Sequence, residues 1–291
     1  IAAQSDVDPT VIIGGEVSIL GGNARNGQGS FIIAEADESD GSFLKLNSYI
    51  AVVTNIEDDH LDYYGTEENI YKAFKQFLGN LVEGGKAILC VDNAKVKALA
   101  QEIDKPVITY GLEAADYVAK DICYGVDGTT YKLYHKDEFV TEVRLIVPGR
   151  HNVLNSVGAF VAAREMGIAD ETILKALEQF GGAKRRFETK GKVNGVWVVD
   201  DYAHHPTEIE VTLKAARQTQ PKRLLCLFQP HRYTRTQLLF KEFCNCFNDC
   251  DEVILTDIYA ASENPIPGIT SEALAEGISK ATGKAVTYIA K

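Results

Sequence analysis

Basic blocks, long apolar runs and a dinucleotide fingerprint are all missing from this chain. Lysine and arginine total 30 against 41 aspartates and glutamates, a net charge of −11 with no Lys/Arg-rich block. That balance excludes sequence-independent binding to nucleic acid. No apolar run approaches the length of a membrane span, and no signal-peptide pattern opens the chain, so neither insertion nor secretion is expected. No G-x-G-x-x-G occurs, so an α/β pattern here does not by itself imply a dinucleotide. Internal repeats and low-complexity segments are absent too. The six cysteines match no closed zinc pattern. Cys90 and Cys226 lie in apolar strand-like runs and read as small core residues, while Cys244, Cys246 and Cys250 crowd one helix-like stretch with no histidine near it. Reduced thiols in a cytoplasmic protein are the expectation.

What is present is a globular composition, 291 residues with 45% hydrophobic and 24% charged, enough for two domains. The first residue is Ile1 rather than Met, so the chain reads as a piece of something longer. Strand-like runs at 31–36, 49–55, 86–92 and 106–110 alternate with helix-like stretches at 67–82 and 93–103. In the first helix Ile70, Ala73, Phe74, Phe77, Leu78 and Leu81 recur at helical spacing behind Thr66 as N-cap, and Gly84-Gly85 closes it. This alternation predicts a mainly parallel sheet covered by helices. Residues 116–147 carry turn signals at Asp127-Gly128 and Lys136-Asp137 and read as an antiparallel appendage. A helix follows from Pro148-Gly149-Arg150-His151-Asn152 to about Met166. A boundary is expected near Gly181-Gly182-Ala183, giving domains 1–183 and 184–291. The second opens with a hairpin around Asn194-Gly195. It continues with helices at 207–219, 237–249 and 271–281 and strands at 223–228, 252–256 and from Ala285. That pattern is a Rossmann-like α/β unit.

Chemistry-bearing residues gather at the ends of these strands. Glu35-Ala36-Asp37-Glu38-Ser39-Asp40 follows the apolar Phe31-Ile32-Ile33, and Asn55-Ile56-Glu57-Asp58-Asp59-His60 follows Ile50-Ala51-Val52-Val53. Two buried strands would thus deliver carboxylates and an imidazole to one sheet edge, where open α/β sheets bind ligands. A solvated acidic loop is the plainer reading of the first run, with Asp37 and Asp40 capping its turn. Hard oxygen ligands with one imidazole suit magnesium or manganese, and Glu35, nearest the strand end, and His60 are the candidates. His151, Asn152 and Asn155 open a helix. Asn152 is either an N-cap or, with Asn155, an amide facing a purine edge. Arg186, behind Lys184 and Arg185, is either part of a solvated basic patch or a phosphate clamp. Asp200-Asp201-Tyr202-Ala203-His204-His205-Pro206 packs two carboxylates, a phenol and two imidazoles into one strand-to-helix turn, more than a connection needs. His231, Arg232 and Arg235 form a compact cationic loop that suits a carboxylate or phosphate, with a helix N-terminus expected near Gln237.

Taken in order, these strings resemble the Mur ligases. The resemblance rests on residues 35–40, 55–60, Gly149-Arg150-His151-Asn152, Arg185-Arg186-Phe187-Glu188, residues 200–208, Pro230 to Thr236 and Asn264-Pro265-Ile266-Pro267-Gly268. It implies a central ATPase domain followed by a C-terminal Rossmann-like domain. The family's UDP-sugar domain and Gly-rich phosphate loop would lie upstream of Ile1, and the C-terminal end looks short. The chain alone is therefore expected to be inactive and its parent competent. The resemblance implies ATP with Mg2+ (or Mn2+), and UDP-N-acetylmuramate with L-alanine as substrates. Nucleic acid and membrane are not implied as partners, and a monomer or weak homodimer is expected. Glu35 and His60 would hold the metal. His151, Asn152 and Asn155 would lie near adenine. Arg186 and Asp201 would approach the ATP phosphates across the domain interface. Tyr202, His204, His231, Arg232 and Arg235 would face the muramoyl carboxylate and the incoming alanine. Family members with a carbamylated lysine carry it one helix after the histidine motif. The matching positions here are Phe74 and Lys75, and the apolar Phe74 fits the alanine-adding branch.

The implied chemistry is ATP-driven amide formation through an acyl phosphate. Three rivals make different demands. A tripeptide-recycling ligase would take a peptide acceptor. A non-catalytic nucleotide-binding relative would turn nothing over. A metal-dependent phosphohydrolase would need no amine.

Overall fold

A computed structural model of the chain describes residues 1–57, 60–125 and 128–290. The chain divides into two compact units, residues 1–184 without 124–127, and Arg185–Lys291.

The first unit opens with strands β1 (Thr10–Val17), β2 (Gly22–Arg25) and β3 (Ile32–Ala34), which form a three-stranded sheet in the order β2-β1-β3. Thr10-Val11-Ile12-Ile13 is an apolar run that pairs in parallel with β3, Ile12 opposite Ala34. Next come β4 (Ile50–Val53), the one-turn helix α1 (Leu61–Tyr64), α2 (Glu67–Gly79), β5 (Lys86–Cys90), α3 (Ala94–Glu102) and β6 (Val107–Gly111). β7 (Tyr117–Gly125), β8 (Gly128–His135) and β9 (Glu138–Leu145) precede helices α4 (Arg150–Glu165) and α5 (Asp170–Gln179). Strands β4 to β9 form one six-stranded sheet in chain order. β4, β5, β6 and β7 are parallel and β8 with β9 antiparallel. The antiparallel stretch foreseen at 116–147 is thus continuous with the main sheet. Its β8–β9 turn sits at Lys136-Asp137, both in the left-handed region. Asp127, the other turn candidate, lies outside the described residues.

Helix α2 shows how the sequence builds this layer. Thr66 accepts a hydrogen bond from the Asn69 N–H, and Glu67 and Glu68 complement the positive helix start. Ile70, Ala73, Phe77 and Leu78 are buried with Phe43, Val53, Ile56 and Leu89 in the core. The helix ends at Gly79, earlier than the expected 82. The Asn80 N–H caps it, and the Val82 N–H pairs with the Ser48 carbonyl, drawing the chain back toward the sheet. Phe74 stacks edge-on against Phe43 at 5.3 Å, and Lys75 points away to Glu102 at 2.8 Å.

One expectation is corrected outright. β3 and β4 do not share a sheet: β3 pairs with β1, while β4 is the edge of the six-stranded sheet. β3 is not buried either, since Ile32 is 71% exposed.

The second unit contains the hairpin β10 (Glu188–Val193) and β11 (Val196–Asp200), turning at Asn194 and Gly195, both with positive φ. α6 (Pro206–Gln218), β12 (Leu225–Phe228), α7 (Tyr233–Leu238), α8 (Phe240–Asn245), β13 (Glu252–Leu255), α9 (Ser271–Thr282) and β14 (Val286–Tyr288) follow. β12, β13 and β14 form a parallel three-stranded sheet. The helix expected at 237–249 is instead α7 and α8, broken at Leu239, and it begins inside the cationic loop. Phe243, Cys244, Cys246, Phe247 and Cys250 are buried with Phe228, Leu255, Leu274 and Ile278. All six cysteines are free, and burial raises the thiol pKa of Cys226, Cys244, Cys246 and Cys250. Such thiols behave as core hydrophobes.

Candidate functional site

In the first unit the carboxyl ends of the parallel strands carry the candidate residues. After β4 the chain runs through Asn55 and Glu57 to His60, whose φ of 55° turns it into α1. Asp58 and Asp59 lie outside the described residues. After β5, Asn93 donates to the Glu57 carboxylate at 3.1 Å, tying the two loops. Asp92, on the same loop, accepts from the Leu112 N–H at 2.8 Å beyond β6 and pairs with Arg150 in the first turn of α4. Gly111 leaves room for that carboxylate, because a Cβ there would collide with Asp92 Oδ1. One short-range network therefore sets the entry of α4 against the sheet edge.

Gly149, not Asn152, is the N-cap of α4. The Asn152 amide donates to the Pro148 carbonyl at 2.6 Å. His151 and Asn155, one turn apart, share the helix face, and Asn155 is exposed.

The acidic turn reaches the same region from β3. The Glu38 carboxylate stands 3.6 Å from His60 Nε2, and the Tyr64 hydroxyl donates to the Glu38 carbonyl at 2.5 Å. Asp37 and Asp40 accept from Ser39 N–H and Ser42 N–H, both at 2.9 Å, so they cap the turn. The Ser42 hydrogen bonds also lower the Asp40 pKa. Glu35, in contrast, accepts from the Gly14 N–H at 2.6 Å. Glu38, rather than Glu35, is thus the carboxylate beside the imidazole. Among the described residues, no group of three or more His, Cys, Asp or Glu is close enough to hold a metal ion.

In the second unit the candidates occupy three loops. After β12, the Arg232 N–H donates to the Tyr259 carbonyl and the Tyr259 N–H to the Pro230 carbonyl, both at 2.8 Å, which joins this loop to the one after β13. The Tyr259 ring stacks on His231 at 5.4 Å. Arg235 Nη1 lies 3.2 Å from His231 Nδ1. A guanidinium only donates, so Nδ1 accepts and the ring proton sits on Nε2. Burial lowers the His231 pKa, and Arg235, Arg232 and His204 lower it further. His204 lies 6.1 Å from His231, centroid to centroid. Its Nδ1 donates to the Tyr202 carbonyl at 2.9 Å. Tyr202 lies edge-on to His204 and beneath the Arg185 guanidinium. The cluster holds the Arg232 and Arg235 guanidinium groups close to the His231 and His204 rings, an arrangement of charge suited to an anionic group. α7 begins at Tyr233 with Arg232 as N-cap, four residues before the expected Gln237.

The third loop leads into α6. His205 and Glu208 form a reciprocal capping box with Pro206 at the helix start. Asp201 accepts from the Phe187 N–H and the Ala203 N–H, each at 2.8 Å. Arg186 is exposed, with its guanidinium 3.7 Å from Glu208. Sequence reading missed two residues that organise these sites, Asp92 and Tyr259, and gave no role to Glu208 although it closes the 200–208 motif. Asp92 and Tyr259 both follow parallel strands, a position that could have drawn attention to them.

Comparisons with known proteins align with this layout. Residues 20–163 match the family model for the Mur ligase middle domain, and residues 185–291 match that for the Mur ligase, glutamate ligase domain. The UDP-N-acetylmuramate–L-alanine ligase of Desulforamulus reducens is 50% identical over 99% of this chain and 63% of its own length. The protein of the same name from Syntrophus aciditrophicus is 49% identical over 99% of this chain and 60% of its own. The crystal structure of the UDP-N-acetylmuramate–alanine ligase of Thermotoga maritima superposes with a TM-score of 0.83 at 26% identity, over 100% of this chain and 62% of that one. The chain spans about three-fifths of the length of the curated relatives it matches. No helix among the described residues is long and apolar enough to cross a membrane.

Proposed function

The chain belongs to the Mur ligase family, and from that premise we propose that its full-length protein joins L-alanine to the carboxylate of UDP-N-acetylmuramate at the expense of ATP. The observation that carries the reading is near-complete alignment with relatives of that name at 50% and 49% identity. Support also comes from the motifs that follow strands in both units, a usual place for ligand contacts in open α/β sheets.

Among the described residues no ready-made three-ligand metal site is present; the donor chemistry of the Glu38 carboxylate beside the His60 imidazole, with Glu35 held by the Gly14 N–H, is of the hard kind that magnesium or manganese takes. Glu35 and His60 would hold Mg2+ or Mn2+, which when bound supplies charge neutralisation to the triphosphate. His151, Asn152 and Asn155 would face adenine, with the Arg150–Asp92 pair fixing their helix. Arg186 would bind phosphate oxygens. Tyr202, His204, His231, Arg232 and Arg235 would bind the sugar-linked carboxylate and the incoming amino acid. A carboxylate nucleophile is repelled by a polyanionic phosphate, so the guanidinium groups and the His231 Nε2–H act chiefly by neutralising and positioning. Attack of the carboxylate on the γ-phosphorus releases ADP and gives an acyl phosphate. The alanine amine then attacks the acyl carbon and phosphate leaves. Use of ATP, together with free thiols, supports a cytoplasmic location.

The test is ADP release by the full-length protein with UDP-N-acetylmuramate and alanine, with tripeptide in place of alanine, and with no acceptor. Release that requires alanine supports the reading. Preference for tripeptide, or equal release without acceptor, overturns it.

A further inference from the structure

We propose that Glu263, on the loop after β13, is a positioning residue for Arg232 and Arg235: its carboxylate caps α7 from outside the helix and so holds the loop that carries both guanidinium groups. The inference rests on the ligase reading for what those groups bind, while the geometry belongs to the second unit alone. α7 lacks a cap of its own. Its N-cap is Arg232, which makes no side-chain cap bond and holds φ 68°, a conformation rare for a non-glycine residue. The first-turn N–H groups of a helix have no partner inside it. Glu263 supplies one. One carboxylate oxygen accepts from the Thr234 N–H at 3.0 Å and the other from the Thr234 hydroxyl at 2.7 Å. The hydroxyl bond, then the N–H bond, lower the Glu263 pKa, so the group is charged at the helix start, where negative charge is favourable. The backbone bends to bring it there. Ala261 at φ 47° and Ser262 at φ 71° precede it, and the Glu263 N–H closes the turn on the Ala260 carbonyl at 3.0 Å. The same loop grips the other end of the cationic segment through the bridge between Tyr259 and His231. Arg232 lies between the two fastenings, and Arg235 follows directly after the second. How α7 is seated therefore sets the direction of the Arg235 guanidinium, which lies 3.2 Å from His231 Nδ1.

The experiment uses the full-length protein and has two arms. The first is amide hydrogen exchange, which needs no activity. Glu263→Ala should speed exchange at Thr234, while amides in β12 and β13 stay protected and so report an intact fold. Unchanged exchange at Thr234 overturns the proposal. The second arm is kinetic. Loss of a helix cap shifts the loop's equilibrium about fivefold, so the KM for alanine should rise by about that factor in Glu263→Ala, with the KM for ATP within about twofold of the wild type. Glu263→Gln keeps an acceptor for Thr234 and should recover most of the loss. Thr234→Val keeps the N–H and removes the hydroxyl. It should raise the KM for alanine less, and the double variant should be little worse than Glu263→Ala alone. If Glu263→Gln is as damaging as Glu263→Ala, the charge itself meets the substrate. If the effects at 263 and 234 simply multiply, the two residues act apart. Either result overturns the proposal, as does an equal rise in both KM values, which would mean general damage. If the full-length protein shows no alanine-dependent ADP release, the ligase reading fails, and the exchange arm still decides whether Glu263 holds the loop.

Discussion

Asp92 offers the sharpest test of how the sheet edge is held. Its side chain is only 12% exposed, against 56% for its partner Arg150. One oxygen accepts from the Leu112 N–H at 2.8 Å, and the other pairs with Arg150. A hydrogen bond to a charged acceptor contributes about 1.5–3 kcal/mol. The ion pair is discounted for the exposure of Arg150 and adds at most about 1 kcal/mol. Asp92→Ala removes both and strands the Leu112 N–H, so a loss of about 2–3 kcal/mol is expected. Asp92→Asn keeps an acceptor for Leu112 and gives up only the charge, so it should cost less than about 1 kcal/mol. Urea unfolding followed by far-UV circular dichroism measures both, and exchange at the Leu112 amide locates the effect. If the asparagine variant falls as far as the alanine variant, the ion pair rather than the amide bond carries the junction, and this reasoning is wrong. A loss below about 0.5 kcal/mol in Asp92→Ala would refute it altogether.

Other perturbations probe separate parts of the account. A Cβ on Gly158 would stand 2.8 Å from the hydroxyl of the fully buried Tyr110, so Gly158→Ala should cost about 1–3 kcal/mol in urea unfolding. Adding Tyr110→Phe should recover part of that loss. Lys75 is engaged with Glu102, so a carbamate there would meet a carboxylate. Lys75→Met, and removal of bicarbonate, should leave ADP release within about twofold. The His231 pKa is held below its ordinary 6.5 by burial and neighbouring cations. As pH falls through that value the unfolded chain binds a proton first, so the native state loses stability. The Tm of the wild type should therefore drop more between pH 7.5 and 5 than that of His231→Gln, and equal drops would contradict the assignment.

Alternation of apolar runs and amphipathic helices was enough to read β4 through α3, because those strands are buried and α2 and α3 have strong caps in Thr66 and Asn93. β1 and β2 escaped because Gly14-Gly15 interrupt the apolar pattern and most of both strands is not buried. The break between α7 and α8 was invisible for the opposite reason. Leu238, Leu239, Phe240 and Phe243 continue a helical apolar stripe straight through Leu239, where the backbone leaves the helix at φ −109° and ψ 23°. Strand-end motifs could be picked out from the sequence as chemically loaded, but not their partners. Which acidic residue meets His60 depends on how the 35–40 turn folds back over Tyr64. The pairing of Asp92 with Arg150 joins positions 58 residues apart.

The most direct measurement of the central claim is ADP release by full-length Glu35→Ala and His60→Ala proteins, with UDP-N-acetylmuramate, alanine and Mg2+ present and folding checked by circular dichroism. Loss of turnover in both folded variants is the expected result. Normal turnover in both would contradict the placing of metal-assisted phosphoryl transfer at this edge of the first unit.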